Sequence, residues 1–113
     1  MDARPLLILE LPVPTARTEQ EWNRWYHNVH IPDMLKTVPG VLHGVRYRLV
    51  SGDSDVRYLA IYEFESTLAL RSYLNSPLME ARWQAYADEW GTDRPLRRRG
   101  FEPVFEARAR NDL

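Results

Sequence analysis

Short apolar runs and amphipathic stretches alternate along this chain, and their order sets the expected fold class. Residues 4–14 (RPLLILELPVP) hold a four-residue apolar run from Leu6 to Leu9, closed by Pro12 and Pro14, which predicts a strand. Thr18 followed three residues later by Glu21 is a capping box, and helical periodicity runs from Glu19 to about His30. Pro32 predicts a break or kink there, with residues 33–38 adding a last turn before the Pro39-Gly40 turn. Residues 41–51 then alternate, with Val41, His43, Val45, Tyr47 and Leu49 on one face and Leu42, Gly44, Arg46, Arg48 and Val50 on the other. After a polar turn, residues 56–65 alternate again: Val56, Tyr58, Ala60, Tyr62 and Phe64 oppose Arg57, Leu59, Ile61, Glu63 and Glu65, which predicts a hairpin. Ser66 and Ser76-Pro77 each open a helical stretch. In the second, Met79, Trp83, Tyr86 and Trp90 fall on one narrow stripe that Gly91 ends, and residues 97–109 predict the last strand.

The order β-α-β-β-α-β is the split β-α-β pattern, an α+β arrangement in which helices cover one face of a four-stranded antiparallel sheet. At 113 residues the expectation is a single domain spanning 1–113. Apolar residues on both faces of the middle strands leave one face uncovered, and a second copy of the chain is the economical cover. A homodimer with two sheets face to face is therefore expected.

Composition removes whole classes of chemistry. No cysteine is present, so thiol nucleophiles, disulfides and thiolate metal sites are excluded, and Lys36 is the only lysine available for Schiff-base chemistry. The five glycines form neither a phosphate-cradling loop nor a dinucleotide fingerprint. A net charge of -1 argues against nucleic acid as a partner. Arg94, Arg97, Arg98 and Arg99 are the exception, read either as a contact for an anionic ligand or as a charged sheet edge that resists aggregation. The apolar runs are too short for a membrane partner or a leader, so a cytoplasmic location is the expectation.

The densest chemistry lies in EWNRWYHNVHIPD, residues 21–33. On a regular helix counted from Trp22, Trp25 falls at about 300°, Tyr26 at about 40° and Val29 at about 340°, one apolar arc. His30 lies at about 80°, beside Tyr26, and His27 at about 140°, pointing away. His30 is thus the imidazole placed to exchange protons, and Asp33, one turn on, is a candidate to fix its tautomer. The competing reading is a helix-end histidine bonded to a backbone carbonyl. A metal bound by His27, His30 and Asp33 is disfavoured by the proline break, so no metal is expected. On the hairpin, His43, Tyr47, Tyr58 and Tyr62 are either polar handles in an aromatic pocket or packing residues. Glu10 and Glu63 are either buried against an arginine such as Arg46 or exposed at an edge.

The string W-N-x-W-Y-x-x-x-H-I-P-D (Trp22, Asn23, Trp25, Tyr26, His30, Ile31, Pro32, Asp33), followed by Pro39, Gly40 and Val41, resembles the EthD-like branch of the dimeric α/β-barrel, ferredoxin-like superfamily. The later R-Y-L-A-I-Y-E-F resembles that family's third strand. The resemblance implies a homodimer with a pocket between sheet and helices in each subunit, and His30 as the family histidine. It also implies cofactor-independent relatives: lactone isomerases, polyketide cyclases, anthrone-type monooxygenases and hydroxynitrile lyases, with haem bound by some distant ones. The expectation is therefore an enzyme without cofactor, acting on an aromatic, polyketide-like or lactone ligand by proton transfer. In that reading His30 is the general acid/base, Asp33 its orienter, and His43 or Arg46 the holder of an oxyanion. Trp22, Trp25, Tyr26, Tyr47 and Tyr62 would contact substrate. Oxygenation of a phenol without cofactor and a non-catalytic ligand-binding role are the alternatives.

Overall fold

The computed structural model describes residues 2–94 and 96–110. Met1, Pro95 and residues 111–113, which the sequence reading includes in the domain, lie outside the described residues. The elements are β1 (Leu6–Glu10), α1 (Glu19–Trp25), a π-helical turn (Tyr26–His30), α2 (Ile31–Thr37), β2 (Val41–Arg48), β3 (Tyr58–Phe64), α3 (Thr67–Leu74), α4 (Pro77–Trp90) and β4 (Arg97–Phe101). The four strands pair antiparallel in the order β2-β3-β1-β4, as the split β-α-β pattern requires. The expected helix starts are present: Thr18, Ser66 and Ser76 each accept a hydrogen bond from the backbone N–H three residues on.

Strand register sorts the sheet into two faces. Gly44, Tyr62, Leu7 and Gly100 form one row under the helices, and Arg46, Ala60, Leu9 and Arg98 form the next. The opposite face carries the rows His43-Glu63-Leu6-Phe101, Val45-Ile61-Ile8-Arg99 and Tyr47-Leu59-Glu10-Arg97. The buried core lies on the helix side, where Leu7, Leu11, Trp22, Tyr26, Met34, Tyr62, Phe64, Leu70, Tyr86 and Trp90 are all at most 5% exposed. Glycines at both sheet edges let the helices approach. A Cβ on Gly44 would stand 3.1 Å from Ile31 Cγ2 and 3.2 Å from the Tyr62 ring, and one on Gly100 would stand 3.2 Å from Leu70 and Leu74.

Three boundaries differ from the sequence reading. A bulge between Val41 and His43 turns Val41 to the helix side with Phe64 while His43 stays with Glu63, so these two residues do not share a face. The last strand stops at Phe101, and residues 102–110 continue without strand pairing. Pro32 does not break the helix. The Ile31 N–H reaches back to the Tyr26 carbonyl, five residues away, and this wider turn starts a fresh α-segment in which Pro32 sits where no N–H is needed. The extra residue turns the side chains of this segment away from their regular-helix directions, so Val29, on the apolar arc of a regular helix, is 52% exposed.

Gly44→Val should lower unfolding stability by about 1–3 kcal/mol, because the added methyls meet Ile31 and the Tyr62 ring. Urea denaturation measures it, and an unchanged midpoint would contradict the close helix–strand approach.

Candidate active site

A cleft opens between the helix-side face of β1 and β4, the π-turn with α2, and α4. Leu7, Leu9, Leu11, Met34, Met79 and Leu96 supply its apolar lining, and Tyr26, His30, Tyr73, Arg82, Trp83, Tyr86 and Arg98 its aromatic and polar groups. It holds about 400 Å³ of empty space counting its open mouth, of which only about 30 Å³ admits the centre of a water molecule. A ring-sized ligand therefore has to displace flexible lining side chains, Met79 being the most adaptable.

His30 stands at the last position of the π-turn, held by aromatic rings. Its imidazole stacks on Trp25 with ring centres 4.9 Å apart and planes 16° from parallel. Tyr26 meets it edge-on at 5.2 Å and Tyr62 at 6.4 Å. Burial, reinforced by the Arg82 and Arg46 guanidiniums against the weaker pull of Asp33, lowers its pKa from 6.5 to about 4. The site therefore presents a neutral imidazole at physiological pH. Burial likewise raises Tyr26 to about 12 and pushes Tyr62 and Tyr86 upward, so these phenols stay protonated.

Arg82 lines the cleft, and its charge acts on this histidine. From α4 it reaches across to α2, where it pairs with the Asp33 carboxylate and donates to the Thr37 hydroxyl. Its Nε is buried and has no hydrogen-bond partner. Arg98 enters from the opposite wall. Its neighbours Arg97 and Arg99 turn to the other face and pair with Glu10, while alternation turns Arg98 inward beside Tyr73.

The residues read from sequence divide into three groups. Tyr26 and His30 line the cleft, and Trp25 backs His30. Trp22, Tyr62 and Arg46 lie beneath it. Trp22 is 1% exposed and donates from Nε1 to the Tyr86 hydroxyl at 3.0 Å. The Arg46 guanidinium lies over the rings of Trp22, Tyr26 and Tyr58 at 4.9, 4.3 and 4.8 Å, where Nη2 is buried without a partner and Nη1 approaches His27 Nε2 at 3.4 Å. The Tyr62 hydroxyl is also buried without a partner. His43 and Tyr47 are corrected in place: strand alternation puts both on the face away from the helices, exposed, and neither lines this cleft. The placing of Asp33 is corrected in its partner, since its carboxylate is taken by Arg82 and makes no hydrogen bond to His30. His27 is exposed, as the helical wheel expects. Glu10 is a half-buried carboxylate on the outer face, paired with arginines from β4 and not with Arg46.

Arg82, Tyr73 and Met34 were not singled out from sequence, and Arg98 was named only as one member of an arginine run. Arg98 had a usable signal, because alternation from Leu96 through Arg98 to Gly100 separates it from Arg97 and Arg99. Arg82 had a weaker one, since it precedes Trp83 at the margin of the α4 stripe.

Among known proteins, the family described as a domain of unknown function, DUF4286, matches residues 13–94. No curated protein matches the chain. Solved structures do. An EthD-family protein of Bacillus halodurans superposes with a TM-score of 0.64 at 17% identity, covering 89% of this chain and 99% of that one. A Dabb-family protein with a ferredoxin-like fold from Mesorhizobium loti gives 0.61 at 17% identity over 92% and 100%. The Streptomyces coelicolor monooxygenase ActVA-Orf6, solved in complex with nanaomycin D, gives 0.65 at 15% identity over 96% and 94%.

Because the pKa of His30 is depressed in the fold, the unfolded chain takes up a proton first as pH falls. Stability conferred by the neutral ring is complete above pH 6.5 and is lost on the way down to about pH 4. Across that window His30→Gln should lose less stability than wild type by on the order of 3 kcal/mol, read from melting temperatures at stepped pH. Parallel curves for the two proteins would show that His30 is not buried as a neutral base.

Proposed function

The chain belongs to the DUF4286 family, and from its site we propose a small-molecule enzyme with the EthD-like fold that works by proton transfer at His30, without cofactor. The observation that supports this is the neutral imidazole held against Trp25 in an apolar cleft, with a guanidinium close by on Arg82. Such a ring accepts a proton from a phenolic or enolic hydroxyl, or from carbon beside a carbonyl, and returns it elsewhere on the substrate. Isomerisation, cyclisation and elimination all have this form.

A pKa near 4 makes His30 a weak base, so the energetics decide whether the role is open to it. Moving a proton from a phenol of pKa about 10 to this ring is uphill by about 8 kcal/mol in the empty site. Turnover near 10 s⁻¹ corresponds to a barrier of about 16 kcal/mol, so the uphill step fits beneath it. The substrate anion itself raises the imidazolium pKa, and Arg82 stabilises the charge that forms. Tyr26 and Trp25 frame the reacting ring, and Asp33 acts through Arg82 by holding that guanidinium toward the cleft.

Oxygenation of an electron-rich phenol is the second reading, favoured by the likeness to the monooxygenase solved with nanaomycin D. It uses the same deprotonation and adds oxygen uptake. We further infer a homodimer, because Leu6, Ile8, Val45, Tyr47, Leu59, Ile61 and Phe101 form an apolar field on the uncovered face of the sheet. Ile8→Glu should turn a dimer into a monomer in analytical ultracentrifugation, and a monomeric wild type would remove the pairing.

A thermal-shift panel of phenolic ketones, aromatic acids, lactones and haem should give a hit that weakens in His30→Ala. Turnover of that hit should fall at least about a hundredfold in the variant. Oxygen consumption during turnover selects the second reading, whereas binding without turnover, indifferent to His30, would replace both with a ligand carrier.

A further inference from the structure

Arg98 is the anomaly of the cleft. Every other arginine of β4 has a carboxylate: Arg97 and Arg99 share Glu10. Arg98 is half-buried among apolar and aromatic side chains, and among the described residues it has no carboxylate within 4.0 Å and no hydrogen bond. A half-exposed guanidinium in an apolar cleft, without a counter-charge of its own, is open to an anion.

Three further facts fix where that anion would sit. Tyr73, whose hydroxyl meets Met34 Sδ at 3.6 Å, is flanked by both Arg82 and Arg98. Arg82 keeps a buried, unpartnered Nε although Asp33 and Thr37 occupy its terminal nitrogens. His30 lines the same cleft from the π-turn, whereas Arg98 lines it from β4. The cleft therefore carries His30 on the π-turn, Arg82 on α4, Tyr73 on α3 and Arg98 on β4, the last without a counter-charge. Arg46, on the same helix-facing row of the sheet, is about 14 Å off at the opposite edge, three strand spacings away, and is covered by Trp22, Tyr26 and Tyr58. It does not compete for this ligand.

We infer that the cleft takes an aromatic or fused-ring carboxylate, its carboxylate seated on Arg98 beside Tyr73 and its ring reaching toward His30. This rests on the proposed small-molecule role of the cleft and narrows it. The planar guanidinium fork accepts a carboxylate through two parallel hydrogen bonds, and the apolar lining of Leu7, Leu9 and Met34 suits the ring. A neutral ester or alcohol of the same ring system keeps the apolar contact and loses the ion pair.

Three probes of one shape separate the parts: 2-naphthoate, methyl 2-naphthoate and 2-naphthol, titrated calorimetrically into wild type, Arg98→Leu, Arg98→Lys and His30→Ala. The account predicts that wild type binds naphthoate about 10- to 100-fold more tightly than its methyl ester, the span of one charge-assisted hydrogen-bonded pair. Arg98→Leu should abolish that preference while leaving 2-naphthol binding intact, and Arg98→Lys should keep part of it. Raising salt on wild type alone should weaken naphthoate and not naphthol, which tests the ion pair without any variant. Equal binding of all three probes to wild type and Arg98→Leu would overturn the carboxylate while leaving the cleft as a ligand site. No binding of any probe would overturn the cleft as an aromatic site and the carboxylate with it.

Discussion

Everything at the site depends on how the chain passes Pro32. A regular helix cannot carry proline in its interior, because the ring strikes the carbonyl four residues back and one hydrogen bond is lost. The Tyr26–His30 segment widens by one residue, the Ile31 N–H closes on the Tyr26 carbonyl, and α2 restarts with Pro32 in its first turn. The wider turn carries Val29 out to solvent and leaves Tyr26 buried with His30 beside it. Gly44 completes the arrangement from the sheet, since a Cβ there would press on Ile31 at 3.1 Å and on the Tyr62 ring at 3.2 Å. The histidine is therefore positioned by backbone geometry, with no hydrogen bond to the Asp33 carboxylate.

Placed there, the imidazole is surrounded by rings and cations. Trp25 lies parallel to it, Tyr26, Tyr86 and Trp90 pack on Trp25, and Tyr26 also meets Tyr86. Arg46 is held under the same cluster by cation–π contact, and Arg82 by Asp33. Positive charge from both sides and the loss of water act in one direction on His30, toward the neutral ring. The same charges favour any anion formed next to it. In the proposed reaction one electrostatic arrangement thus weakens the base and stabilises the anion that it forms.

Much of the fold was legible in the sequence because it depends on short-range rules. The capping residues Thr18, Ser66 and Ser76, the Pro39-Gly40 turn and the two hairpin strands are local signals, and the order of elements determines the sheet. His30, Tyr26 and Trp25 were legible because they cluster within six residues of one helix. What failed needed long-range or sub-residue information. The bulge at Leu42 reverses the face that simple alternation gives to Val41, and so hides that His43 and Tyr47 point away. The Asp33–Arg82 pair joins residues 49 apart, and helical spacing alone directs Asp33 to the nearer histidine. Arg98 was read together with a run of arginines, although the strand sends Arg97 and Arg99 to the opposite face. Rotation within the π-turn is invisible to a wheel drawn at a fixed angle.

The charge state of His30 in the native fold tests the account most directly. Imidazole resonances of the protein, labelled at histidine and followed by NMR from pH 8 to pH 3.5, report each ring separately, and His30→Gln assigns the one that disappears. The account predicts a midpoint near 4 for that ring. A midpoint at or above 6.5 would mean a solvated, readily protonated imidazole, and the neutral acceptor on which the mechanism rests would not exist.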